Sequence, residues 1–460
     1  MSKHRDTLIK GTLIKIFLAA LAVRWIYAFA VFLFMGNGGL GGVDSETYIV
    51  NAQKLAAGIL AGTVHGGQWF GSDPTTMPLF AWLIGAHALI FPGAFPISYV
   101  LTQGALDAGT CVLVFLIART VNERYALPAA AAAVLNPTQI VLAGLVYTDT
   151  PFVFFTTLFF FGAVGWLREP GWRPMMIAGI GLGAASLVRT LLAPWVVVAM
   201  AFFLIDLAIR RRLSVQRVAQ VAAMAAIGCL CVGAVILHNA VAYGAWSLTS
   251  QGGRHLAIWI VPLAKEADDG TPWTKTVAEI EAREAARFGP AADNPFEEGR
   301  RWAEIGKEAL GEIRPIAFVK SWLVGAAINL ASPAIILSPP ILQLPRTGFY
   351  STPGASPLDK MMNFMFHSDN AYYAWALLLG LSGVVLARAI QILGMREWIA
   401  GKDNSAIFIL IGLWVGYILA VNGPVASPKY RLPLEPLLMV LTGAGVAAVQ
   451  DRWRAGKVAA

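Results

Sequence analysis

Residues 126–167 read ALPAAAAAVLNPTQIVLAGLVYTDTPFVFFTTLFFFGAVGWL and carry one formal charge, Asp149. A membrane-spanning helix needs roughly 20 apolar residues. This stretch supplies two such runs, 126–147 and 150–167, with Asn136-Pro137 inside the first and Tyr147-Thr148-Asp149-Thr150-Pro151 between them. Similar runs recur at 10–35, 97–118, 174–189, 190–209, 218–238, 370–393, 405–421 and 432–449. The chain of 460 residues is 57% hydrophobic and 13% charged, where a soluble domain has about a quarter charged residues. Its mean hydropathy is +0.63. The expectation is an all-α polytopic membrane protein with about 10–12 transmembrane helices. It reads as a single membrane domain over 1–460.

The net charge of +8 does not point to nucleic acid. Its arginines and lysines gather in short loops at Arg119–Arg124, Arg168–Arg173, Arg210–Arg217, Arg388–Lys402 and Arg452–Lys457. All five fall on one side of the membrane if the N-terminus is cytoplasmic, as the positive-inside rule requires. The basic N-terminus (Lys3, His4, Arg5, Lys10) precedes a run too long for a cleaved signal, so an uncleaved first helix in the cytoplasmic (inner) membrane is expected. Two apolar stretches, 77–92 and 316–342, break the alternation and read as re-entrant or interfacial; two further spans would raise the count to twelve. The outer face then collects 36–76, a Gly-rich first loop with a juxtamembrane helix, and 239–315, a larger helical insertion. It also collects 343–369 and 422–431. Cys111, Cys229 and Cys231 lie inside apolar runs and read as structural thiols. No HxxxH or HExxH spacing, P-loop or glycine turn after a strand is present.

The densest polar signal follows the first helix: Gly41-Gly42-Val43-Asp44-Ser45-Glu46-Thr47-Tyr48, then Ala52, Leu55 and Gly58. Asp44, Tyr48, Ala52 and Leu55 share one helical face. Asp44 is either an N-cap or a carboxylate fixed at the membrane surface, and one position serves both. Asp149, ahead of Pro151, reads the same two ways. Arg24 and Asp107 lie inside apolar spans, where buried charge is costly; a structural polar contact between helices is expected of them.

The pattern Asp-Ser-x-x-Tyr-x-x-x-Ala-x-x-Leu-x-x-Gly resembles the first-loop signature of GT-C glycosyltransferases, including the protein O-mannosyltransferases and lipid A aminoarabinose transferases (families 39 and 83). Those families more often carry Asp-Glu; here Ser45 follows Asp44. Four further stretches extend the resemblance: Asn136-Pro137 with Tyr147–Pro151, Gly181–Arg189, Tyr243-Gly244 through Ser250–Gly253, and Ser427-Pro428-Lys429-Tyr430-Arg431-Leu432-Pro433. What the resemblance implies is a GT-C fold whose outer-face (periplasmic) loops form the active site. It implies an inverting transferase moving a sugar from a polyprenyl-phosphate donor to a glycan, lipid or protein hydroxyl. Asp44 would be the base, with Asp149 as helper. Arg189, Arg254, Lys429 and Arg431 would hold the donor phosphate, and Tyr48, His255 and Tyr350 would touch substrate. The partners are then the lipid-linked donor, the acceptor and membrane lipids, with no nucleic acid. No metal ligand set is named, and metal dependence stays open. The competing reading is a transporter or lipid-linked sugar flippase; the missing internal repeat and the clustering of candidates at one face speak against it.

Overall fold

The structure, a computed structural model, describes residues 2–42, 44–63, 74–344, 357–366, 371–400 and 404–459. Every regular element among them is helical. Among the described residues eight helices are long and apolar enough to cross a membrane, or ten if each of two bent pairs is one span. Ten meets the lower end of the expected range of about 10–12 and eight falls below it, and two of the expected spans differ. The run at 126–147 is broken into Glu123–Val134 and Pro137–Ala143, which meet at 46°. Pro137 cannot donate a backbone hydrogen bond, and the Asn136 side chain instead accepts from Thr138 and Gln139 to start a new helix. The run at 174–189 forms Trp172–Ser186, whose 15 residues reach about 22 Å, short of the ~30 Å hydrocarbon core.

The break at 134–137 frees carbonyls inside the bundle, and buried side chains satisfy them. Arg24 donates to the carbonyls of Ala133 and Val134 and pairs with Asp107 at 2.7 Å. Asp107 also accepts from Gln139 at 2.9 Å, and Gln103 donates to the carbonyls of Leu142, Ala143 and Leu145. Arg24 and Asp107 therefore make the interhelical contact expected of them. In hydrocarbon a broken helix survives only where its backbone groups find such partners.

Helices Asp149–Arg168 and Trp172–Ser186 touch backbone to backbone. A Cβ on Gly162 would lie 2.4 Å from the Ala178 nitrogen, and one on Gly181 would lie 2.4 Å from that of Phe159. The glycine string 179–183 is thus a packing surface. The last helix, within Pro428–Arg454, is the axis of the bundle, with 89% of its most apolar window buried. Helix Ala371–Ala400 runs along the outside, with 6% buried.

Pro78–Ile90 is a 13-residue apolar helix of about 20 Å, too short to span. Pro315–Ala331 meets Pro295–Gly311 at 111°. It buries Ala317, Ser321, Gly325 and Asn329 and exposes Ile316, Val319, Leu323 and Val324. Small residues inward and large apolar residues outward are the pattern of a helix facing lipid. The insertion has its own core of Ala257, Ile258, Val261, Ile280, Trp302, Ile305 and Ala309. Its charges pair across its surface, as in Arg283–Glu312 and Arg314–Asp268.

The bundle has two distinct ends. At one, the basic loops are tied together: Arg124 pairs with Asp451, Arg168 donates to the Val121 carbonyl and to Asn404, and Arg210 reaches Ser405. The first loop, the start of helix Asp149–Arg168 and the start of the last helix meet at the other.

Candidate active site

The first loop is pinned to the segment before Asp149 by backbone and by Ser45. The Val146 amide donates to the Leu40 carbonyl at 2.9 Å. Ser45, fully buried, accepts from the Gly42 amide at 2.8 Å and donates to the Val146 carbonyl at 2.9 Å. Position 45 is thus a hydrogen-bonding clamp between the first loop and the segment before Asp149. Ser45→Ala removes both bonds and leaves the half-buried Gly42 amide and the buried Val146 carbonyl without that partner, so a stability loss of about 1–3 kcal/mol is expected. Unfolding of the purified variant measures it, and stability equal to wild type would contradict the clamp.

Asp44 occupies the N-cap position of helix Ser45–Leu60, yet its side chain makes no capping bond. Its carboxylate pairs instead with Lys429 Nζ at 2.9 Å. Asp149, in the first turn of its helix, is buried and pairs with Arg189 at 2.6 Å. Two carboxylate–cation pairs from four distant parts of the chain thus stand together, and Tyr48 lies between them. Burial, then Asp44, push the Tyr48 phenol up to about 12, against the pull of Arg189 and Lys429. The phenol therefore stays protonated at neutral pH, a hydrogen-bond donor beside two carboxylates. Its ring meets Phe80 edge-on at 5.0 Å, which uses the short helix Pro78–Ile90 as a wall. Val141, Leu142, Leu145, Tyr147, Val153 and Leu432 form an apolar floor.

His255 stands within electrostatic reach of Arg189. Burial, then that guanidinium, hold its pKa below 6.5. A histidine depressed on folding is neutral in the native state, so the stability it favours is full above pH 6.5 and is lost as pH falls through the lower native value. His255→Gln is expected to flatten that acid-side loss, as read from unfolding between pH 7 and pH 5; an unchanged pH profile would place the histidine outside this field.

Not every expected residue joins the cluster. Arg431 is corrected: its guanidinium is 2% exposed and donates to the carbonyls of Asn329, Leu330 and Ser332, to Thr138 and to Glu435. It fastens the start of the last helix to Pro315–Ala331, and its burial and its pairing with Glu435 turn it toward the bundle core. Arg254 lies with its guanidinium 5.8 Å over the Trp302 ring, packed on the insertion's core residue. Tyr350 lies outside the described residues. Three participants escaped the sequence reading. Tyr147 and Tyr430 place their rings 5.3 and 5.4 Å from Lys429 Nζ. Asn329 accepts from the Ser427 amide at 2.8 Å and donates to the Val425 carbonyl, shaping the loop that presents Lys429. Tyr147 and Tyr430 sit inside motifs already singled out, so adjacency was the available signal; Asn329 offered none.

The site is thus one end of a helical bundle, with paired acids and cations contributed by the first loop, the start of helix Asp149–Arg168 and the start of the last helix, and the fold is the GT-C fold expected. Over residues 73–238 the chain matches the family model described as dolichyl-phosphate-mannose-protein mannosyltransferase. Among solved structures it is similar to the oligosaccharyltransferase AglB of Archaeoglobus fulgidus in complex with an inhibitory peptide and a dolichol-phosphate. The identity is 15% and the TM-score 0.51, over 99% of this chain and 52% of that one. The apo form of the A. fulgidus oligosaccharyltransferase gives 15% identity and a TM-score of 0.53, over 100% and 53%. The chain spans about half the length of these proteins, and at this identity the likeness is one of fold. ArnT from Cupriavidus metallidurans in the apo state gives 15% identity and a TM-score of 0.38, over 96% and 78%. The comparison with curated proteins found no match.

Proposed function

We propose that the protein is an inverting glycosyltransferase. It moves a sugar from a polyprenyl-phosphate donor to an acceptor hydroxyl at the outer face of the cytoplasmic membrane, with its N-terminus in the cytoplasm. The observation that carries this reading is the convergence of Asp44–Lys429 and Asp149–Arg189 around Tyr48 at the bundle end opposite the basic loops. Basic loops favour the cytoplasm, which supports an outer-face position for the cluster. The substrate class is supported by the description of the matching family model and by the dolichol-phosphate held by AglB, a protein of the same fold.

In the reaction the acceptor oxygen attacks the anomeric carbon and gives its proton to Asp44. The bond from that carbon to the phosphate oxygen breaks, and the polyprenyl phosphate leaves with the electron pair. Lys429 and Arg189 stabilise the charge that gathers on the departing phosphate. Asp149 holds Arg189 in place, and Tyr48 donates from beside the base. One base and one leaving group on opposite faces of the sugar give inversion in a single displacement, by the geometry that separates inverting from retaining glycosidases. The transporter reading finds less support, because the charges within the bundle, Arg24 and Asp107, are committed to fixed contacts.

The test is direct. Purified protein is offered a panel of undecaprenyl-phosphate pentoses and hexoses, while mass spectrometry compares envelope glycans and glycolipids of a deletion strain with its parent. One sugar missing from the deletion strain, and the matching donor consumed in vitro, is the expected result. An unchanged glycome with every donor intact would refute the proposal.

A further inference from the structure

Three cations lie around the site, and their partners differ. Arg431 is locked by backbone carbonyls and a buried acid, and Arg189 is held by the buried carboxylate of Asp149. Lys429 is the loosely held one: Lys429 and Arg189 are themselves similarly exposed, but the partner of Lys429, Asp44, is 45% exposed, against 4% for Asp149. Two aromatic faces complete its surroundings, Tyr147 at 5.3 Å and Tyr430 at 5.4 Å. The Tyr147 ring is itself fixed. Its hydroxyl fills the place a side chain at position 42 would take, since a Cβ on Gly42 would lie 1.9 Å from that oxygen. The ring therefore stands as a wall between the first loop and Lys429, set by the same Gly42 whose amide is bonded to Ser45.

We propose that Tyr147 is a positioning residue that, with Tyr430, holds the Lys429 ammonium as a transferable counter-ion, paired with Asp44 in the empty site and passed to the donor phosphate when the lipid binds. This rests on reading the site as one for a lipid-linked phosphate. The chemistry suits the exchange. An ammonium is a point charge with three rotatable donors on a flexible stem, so it changes partners without the planar match a guanidinium demands. Aromatic faces attract it wherever its ionic partner lies and stay in place through the exchange. Handing Lys429 to the phosphate strips Asp44 of its counter-ion, so the base is released when a donor is present. An empty site keeps acid and cation neutralised against each other.

The experiment isolates the ring face from the ring's shape. Position 147 is changed to phenylalanine and then to phenylalanines bearing one, two and three ring fluorines, which drain the face of negative charge at nearly constant size. Affinity of the full-length protein in nanodiscs for undecaprenyl phosphate is measured across the series. A stepwise fall of about tenfold from phenylalanine to the trifluoro residue is expected. A flat series would overturn the proposal while leaving the transferase reading intact. Wild-type protein that fails to bind undecaprenyl phosphate would overturn both. Should Tyr147→Phe not fold, the same series at Tyr430, the other face of the cradle, decides the question.

Discussion

Asp44→Asn is expected to lower the rate of sugar transfer by about 10²- to 10⁴-fold, the range associated with removing a positioned proton acceptor. The substitution keeps the shape of the side chain and its ability to accept from Lys429, so the first loop should hold its place. Two features make this a clean experiment. Asp44 is 45% exposed and makes no capping bond, so helix Ser45–Leu60 does not depend on it. The clamp that fixes the loop runs through Ser45 and Gly42 rather than through the carboxylate. Expression and thermal stability should therefore match wild type while turnover collapses. Donor binding should persist, because Lys429 and Arg189 remain. Turnover near the wild-type rate would remove Asp44 as the base and direct attention to Asp149.

The second large effect separates two neighbours. Arg431→Met is expected to destabilise the protein by about 3–5 kcal/mol, the cost of breaking a buried ion pair from one side. Glu435 is 3% exposed and would keep Asn136 at 2.9 Å and the more distant Arg388 at 3.8 Å, but would lose its close partner. The carbonyls of Asn329, Leu330 and Ser332 would lose their donor as well. Lys429→Met, two residues away, breaks a partly exposed pair worth about 0–1 kcal/mol to the fold and should cost donor affinity instead. Denaturation curves and donor titrations on the two variants should thus trade places: R431M unstable, K429M stable but weak in binding. The reverse assignment would contradict the division of labour.

The sequence made the architecture readable because hydrocarbon imposes a length rule and the basic loops impose a direction. The outline of the site was readable too, since Asp44, Asp149, Arg189 and Lys429 all sit at helix ends on one side. Their partnership was not. The pair Asp44–Lys429 joins positions 385 residues apart, and no local pattern encodes which acid faces which base. Lys429 and Arg431 looked equivalent in Ser427–Pro433, yet they share a 3₁₀ turn, where residues two apart point about 120° from each other. One side chain faces the site and the other the bundle core. Trp172–Ser186 misled for a different reason: apolar composition marks a segment for burial without distinguishing a full crossing from a short helix packed between longer ones. Glycines 162 and 181 permit that packing, and their role depends on a neighbour that only the fold supplies.

The measurement that bears most directly on the account is a structure of the full-length protein in nanodiscs with undecaprenyl phosphate bound. The account predicts the phosphate between Lys429 and Arg189, beside an Asp44 released from its lysine, with the lipid tail leaving toward the membrane. A phosphate seated at the basic-loop end of the bundle, or away from both cations, would contradict it.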